Sequence, residues 1–170
     1  MANSVYFLYG EQDQNIHGAH MKDSIIKLLE QNLAETYMQE LNIQKCHWNV
    51  EGARFHALHV MFESQYKVLF EYVDILAERI RALEAYAPGS FDEFTKLSDI
   101  QQIKEKTLDA DTMIHRLLEG YKTLVQNLGK TAELASKNGD RETEDMMVGQ
   151  TETHQKNMWM LRSMLSTKGH

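Results

Sequence analysis

Residues 47–80 read HWNVEGARFHALHVMFESQYKVLFEYVDILAERI. Beyond the turn residues Asn49 and Gly52, apolar side chains recur at Phe55, Leu58, Phe62, Tyr66, Leu69, Val73, Leu76 and Ile80, and again at Leu83. Steps of three and four sustained over this length describe one face of a long α-helix that packs at a shallow angle against its neighbours. The same stretch carries a second pattern. His59 and Glu63 are four residues apart, as are Asp74 and Glu78, so each pair projects from one side of the helix. His59, Glu63 and Asp74 each follow a residue of the apolar stripe by one position, which sets them ~100° round from it, on its flank. Polar groups at such a boundary meet either solvent or another subunit.

With His47, these residues make a set of metal-ligand type: His47, His59, Glu63, Asp74 and Glu78. Imidazoles and carboxylates suit iron, manganese or zinc, and richness in carboxylates favours iron. Spacing restricts how the set is used. Glu63 and Asp74 point nearly the same way but lie ~16 Å apart along the helix axis, too far for one centre within one helix. If the helix crosses its own copy antiparallel near Val68, the His59/Glu63 end of one chain meets the Asp74/Glu78 end of the other. Twofold symmetry then builds two identical sites, each completed by His47. An intrachain centre of the Glu-x-x-His kind is set aside, because no Glu is followed three residues later by His. Carboxylates at i+4 are also common on solvated helix faces, and Asp74, Glu78 and Arg79 taken singly read that way.

On the N-terminal side, Ile26, Leu29, Leu33, Tyr37 and Leu41 repeat at helical spacing, while the first fifteen or so residues show no period. On the C-terminal side, the spacing predicts that the second helix breaks at Pro88-Gly89. Ser90 is suited to cap a short helix through Phe91, Phe94 and Leu97. A third long helix is predicted through Ile103, Thr107, Ala110, Ile114, Leu117, Tyr121, Leu124 and Leu128, stopping near Gly139. Asp140 is a natural N-cap for a fourth, carrying Met147, Met158, Leu161 and Leu165. The fold predicted is all-α: a four-helix bundle over residues 21–166, with a short extra helix in the long connection between the second and third helices. Residues 1–20 are predicted as an arm and 167–170 as a tail.

Of the 170 residues, 18 are Lys or Arg and 25 are Asp or Glu, giving a formal charge of −7. This balance argues against nucleic acid as a partner and suits cations, although solubility alone explains it equally well. No apolar run reaches membrane-span length, and the N-terminal stretch lacks the basic start of a signal peptide. The lone Cys46 can form no intrachain disulfide. Together these point to a cytoplasmic protein.

The pattern HWN-x-x-G, F-x-x-LH and D-x-x-AER resembles the signature of the Dps-type mini-ferritins, and the resemblance runs from about Met21 to Ser163, including NGDRETED before the last helix. It implies a ferritin-like bundle assembled as a hollow homododecamer. The implied activity is ferroxidase: oxidation of Fe²⁺, preferentially by hydrogen peroxide, at a two-metal site between subunits, with ferric mineral stored inside. The family's ligands fall on His47 and His59 of one chain and Asp74 and Glu78 of its partner. Glu63 stands where many members have aspartate, and its longer side chain bears on the second, weaker metal position. By the same resemblance Trp48 lies near the site, and Asp140 and Asp145 sit where members line threefold pores.

Other residues have simpler readings. Trp48 also reads as filling space beside an interface, and Asp140 as an N-cap alone. His17 and His20 belong to the arm. His154 follows the stripe of the last helix and is expected to be a hydrogen-bonded core residue; Cys46 and the methionines read as packing. The alternative function is a DNA-coating nucleoid protein with incidental metal binding, and a third reading is a bundle that serves only protein interaction. Against the DNA reading, the first twenty-one residues contain no Lys or Arg and the C-terminal STKGH offers only Lys168.

Overall fold

The stripe that starts at Phe55 forms the helix it describes. The computed structural model describes the backbone of residues 5–165 and the side chains of residues 21–165. Its helices are α1 (Val5–Asn49), α2 (Phe55–Ala82), α3 (Phe91–Leu97), α4 (Ala110–Lys137) and α5 (Arg141–Met164). Helix α1 packs along α2 and α4, α4 packs along α5, and the short α3 lies on α1 within the connection from α2 to α4. This is the all-α, ferritin-like bundle with its extra short helix. Among the described residues there is no strand. The backbone of α1 is helical from Val5, ahead of Ile26, where the apolar period begins, and through most of the stretch 1–20 read as an arm. The side chains of His17 and His20, and the tail 167–170, lie outside the described residues.

Helix ends follow local chemistry. Ser90 and Glu93 form a capping box on α3, Asp109 accepts from the Thr112 N–H at 3.0 Å to cap α4, and Asp140 accepts from the Thr143 N–H at 3.1 Å to cap α5. Gly139, at φ +72°, makes the tight link between α4 and α5.

Two boundaries differ from the sequence reading. Helix α2 ends at Ala82, before Pro88-Gly89. Glu84 adopts φ +67°, its N–H donates to the Arg81 carbonyl (2.9 Å), and the Ala85 N–H donates to that of Ile80 (3.2 Å). Those bonds satisfy the last carbonyls of the helix without a glycine. Helix α4 starts at Ala110, not near Ile103. Ile103 is buried, but its N–H donates to Asn42 Oδ1 at 2.9 Å and its carbonyl accepts from Lys45. Hydrogen bonds from α1 thus replace the helical ones that the apolar spacing suggests.

The core has two apolar halves. One gathers Leu29, Leu33, Leu76, Ile80, Leu128 and Met147, and the other Ile43, Leu58, Phe62, Ile114, Leu117 and Leu161. Polar side chains are buried between and beside them, among them Asn32, Glu35, Gln39, Gln65, Gln150 and His154. Glu35 Oε1 accepts from Gln31, Asn127 and the Asp99 N–H, and burial pushes its carboxyl above the usual range. His154 is fully buried, as expected of a core residue, between the rings of Tyr72 (5.6 Å) and Tyr121 (5.4 Å). The expected hydrogen bond is missing: neither ring nitrogen has a protein partner. Burial pushes this imidazole down to about 4 from 6.5.

A histidine whose folded pKa lies below its unfolded value takes up protons more readily when unfolded. Its contribution to stability is therefore intact above about pH 6.5 and is lost as pH falls towards 4. The difference amounts to about 3 kcal/mol per chain. Urea denaturation at fixed protein concentration between pH 7 and pH 4 should show the native chain losing most of that relative to His154→Gln. Parallel profiles for the two proteins would rule out such a titration.

Candidate metal centre

The corner between α1 and α2 is short. Val50 N–H donates to the Cys46 carbonyl (2.9 Å), Gly52 takes φ +91°, and Phe55 N–H donates to the Gly52 carbonyl (3.0 Å). This turn sets His47, in the last turn of α1, against His59, in the second turn of α2. Their rings stack with centroids 3.8 Å apart and planes 21° from parallel. Each Nδ1 lies 2.9 Å from the backbone carbonyl oxygen of the other residue. A carbonyl only accepts, so both Nδ1 atoms carry a proton, and in the neutral ring the lone pair is then on Nε2. Two imidazoles are thereby held in the tautomer that coordinates a metal through Nε2. His47 is 8% exposed and its ring edge meets Tyr66; Phe55 packs on His59. Trp48 beside it is 62% exposed. Cys46 is buried and its thiol is pushed up to about 12, so it packs as an uncharged group.

Glu63 is one turn further along α2. Its carboxylate accepts from Lys67 Nζ at 2.5 Å. That hydrogen bond, then the Lys67 charge, holds the Glu63 carboxyl below its usual range. Lys67 was not among the residues singled out from the sequence, although the i,i+4 spacing from Glu63 is a legible signal for it.

Asp74 and Glu78 are exposed near the far end of α2, and neither carboxylate has a partner among the described residues. Arg79 does not pair with Glu78. It turns instead to Asp140 (2.5 Å) and the Thr143 hydroxyl (2.8 Å), joining α2 to the start of α5. One chain therefore offers two half-sites, the imidazoles with Glu63 at the α1–α2 corner and the carboxylates Asp74 and Glu78 further along α2, with Glu63 and Asp74 ~16 Å apart along the axis. Among the described residues of a single chain, no three His, Cys, Asp or Glu converge on one point. Phe70 (64%) is exposed between the halves, and Val60 (50%) and Ile75 (40%) are exposed next to His59 and Asp74.

The two acidic residues near the start of α5 differ. Asp140 accepts from Arg79, the Thr143 N–H and the Thr143 hydroxyl, so its carboxylate is engaged in capping and an ion pair. Asp145 is exposed.

The ferritin-like domain family matches residues 26–168. Dps from Thermosynechococcus elongatus is similar in structure with a TM-score of 0.85 and 26% identity, over 89% of this chain and 96% of that one. This chain belongs to the ferritin-like family, as a Dps-type mini-ferritin. A Dps from Vibrio cholerae O1, described as a member of a broad superfamily of ferritin-like diiron-carboxylate proteins, has a TM-score of 0.82 and 29% identity over 86% and 92% of the two chains. The "DNA protection during starvation protein 2" of Bacillus anthracis is 28% identical over 86% of this chain and 99% of its own. In this Dps-type chain no helix among the described residues is long and apolar enough to cross a membrane.

Lys67 competes with any cation for Glu63. An exposed i,i+4 pair of this kind is weak, but it must be broken before Glu63 can turn to a cation. Lys67→Met should therefore tighten Zn²⁺ binding, a redox-inert probe, roughly two- to fivefold in titration calorimetry at pH 7. Weaker or unchanged binding would mean that Glu63 does not contribute a ligand.

Proposed function

We propose that this protein is an iron-storing ferroxidase whose site is shared by two chains. His47, His59 and Glu63 of one subunit face Asp74 and Glu78 of the other across a twofold axis near Val68. One observation carries the reading: two imidazoles locked through Nδ1 at the α1–α2 corner stand at one end of α2, and two unpartnered carboxylates that one chain cannot bring to them stand near the other. The exposed Val60, Phe70 and Ile75 supply apolar area for the isologous contact. An antiparallel crossing at mid-helix brings each half-site to its complement.

Iron is the substrate here. Neutral imidazoles and carboxylates bind Fe²⁺, and the carboxylates compensate the added positive charge as it becomes Fe³⁺. Two Fe²⁺ each give one electron to hydrogen peroxide. The O–O bond breaks and the two oxygens leave as hydroxide, or as water after taking up protons. Taking both electrons at one paired site avoids release of hydroxyl radical. Trp48, exposed beside His47, would intercept stray oxidising equivalents. Ferric product would collect as mineral inside a shell of twelve, in the cytoplasm, and so limit oxidative damage. Of the two pore candidates, Asp145 has an exposed carboxylate to offer entering cations, while Asp140 would add only its charge.

The names of relatives such as the Bacillus anthracis protein favour a second reading, DNA protection by coating. Twelve copies carry a formal charge of twelve times −7, or −84, which opposes it. In a gel at physiological salt without divalent metal, the protein should not retain DNA. A stable complex with steep salt dependence would favour the coating function.

The shared site is tested by mixing. Light scattering should give twelve copies of the 19.7 kDa chain, about 236 kDa. His47→Ala/His59→Ala and Asp74→Ala/Glu78→Ala variants should each assemble yet oxidise Fe²⁺ poorly with peroxide. Co-assembled in equal amounts, they should recover about a quarter of native sites, because half of random pairs are mixed and each mixed pair has one intact site. Activity that stays at the single-variant level in verified mixed shells would defeat the model, since an intrachain site allows no rescue.

A further inference from the structure

The core stripe of α5 runs Thr143, Met147, Gln150, His154, Asn157, Leu161. Its apolar ends enter the two apolar halves of the core, Met147 in one and Leu161 in the other. The three residues between them are polar, and α2 and α4 answer with Gln65 and Tyr121. The Tyr121 hydroxyl donates to Gln65 Oε1 at 3.2 Å and accepts from Asn157 Nδ2 at 3.2 Å. That leaves Gln65 Nε2, both polar atoms of the Gln150 amide and both ring nitrogens of His154 without a protein partner. All three residues are almost wholly enclosed, with exposures of 2%, 1% and 0%. Native interiors seldom leave buried polar groups unsatisfied, and five within two turns of the α5 stripe and the α2 side chain joined to it are too many to attribute to strain.

The chemistry of these atoms selects the occupant. Two amide nitrogens and one imidazole N–H donate; one amide oxygen and the other imidazole nitrogen accept. The layer contains no carboxylate, thiolate or cationic side chain. Of the two buried acids of α1, Glu35 is hydrogen-bonded within a separate set through Gln31 and Asn127, and Glu40 lines a surface pocket with Gln44, Lys67 and Phe70. Neither a metal ion nor an anion is suited to such a mixture. A small neutral molecule that both donates and accepts is. One water, with two bonds of each kind, cannot serve all five atoms.

We propose that the middle of the bundle holds an enclosed water-binding site in which at least two water molecules bridge Gln65, Gln150 and His154. This wet layer pins the register of α5. A slip by one turn would bring Met147 or Leu161 into the polar stretch and carry Gln150 or Asn157 into an apolar half, where no partner exists.

The test is X-ray radiolytic labelling of the iron-free, assembled protein. Water bound beside a side chain generates hydroxyl radical in place, so an enclosed residue is oxidised only if it touches bound water. Phe62 is the internal control, an aromatic equally buried in an apolar half of the core. After correction for intrinsic reactivity, Tyr121 and His154 should be modified at least tenfold faster than Phe62, and Gln150→Leu should lower their rates severalfold. Equal rates for all three side chains, whether low or high, would overturn the proposal, as would native-like labelling in Gln150→Leu. Should that variant fail to assemble, the native comparison decides alone, together with density for two waters within hydrogen-bond distance of Gln150 and His154 in a high-resolution crystal structure.

Discussion

Two hydrogen bonds at the α1–α2 corner, each from an imidazole Nδ1 to the other histidine's backbone carbonyl, hold the histidine half of the candidate centre together. They act at three levels. Locally they tie the carbonyl of His47, which has no acceptor role left at the end of α1, into the start of α2. In packing terms they stack the two rings at 3.8 Å and keep the corner tight enough for α1 and α2 to run together along their length. Chemically they decide the tautomer. A ring left free to turn would present N–H and lone pair in either sense, and the order needed would have to come from the metal itself.

The rest of the α2 surface balances charge against contact. Glu63 has its own cation in Lys67, while Asp74 and Glu78 have none, because Arg79 is drawn away to Asp140 and Thr143. The same arginine therefore fastens the end of α2 to the cap of α5 and leaves a neighbouring carboxylate free. Exposed Val60, Phe70 and Ile75 lie among these charges, an arrangement that a solitary chain has no use for.

Stability and specificity are divided within the core. Leucine, isoleucine and phenylalanine fill the two apolar halves, and polar side chains occupy the space between them. Burying Gln65, Gln150 and His154 is costlier than burying leucine, but leucine at every layer would let the helices slide. Glu35 meets the same cost differently, by gathering three donors on one oxygen. The ferritin-like bundle thus tolerates enclosed polarity wherever hydrogen bonding can be arranged around it.

Most of the architecture was legible in the residues themselves. Period 3.6 in the apolar positions is a local property, so α2, α4 and α5, the caps at Ser90 and Asp140 and the stop at Gly139 could be read directly from 55–83, 110–128 and 139–161. The two pairs His59/Glu63 and Asp74/Glu78 could be read as candidates too, because i,i+4 spacing projects onto one helix side whatever the surroundings. What the sequence could not determine was decided between segments distant in the chain. Asn42 and Lys45 on α1 take the hydrogen bonds of Ile103 and delay α4 to Ala110; Glu84, not Pro88-Gly89, turns the chain after α2. Arg79 selects Asp140 over Glu78, and His154 is buried without the partner its position suggested. The physical reason is common to all of them. Spacing along one chain states which way a side chain points, but hydrogen bonds and desolvation depend on what stands opposite, and only the packed bundle supplies that.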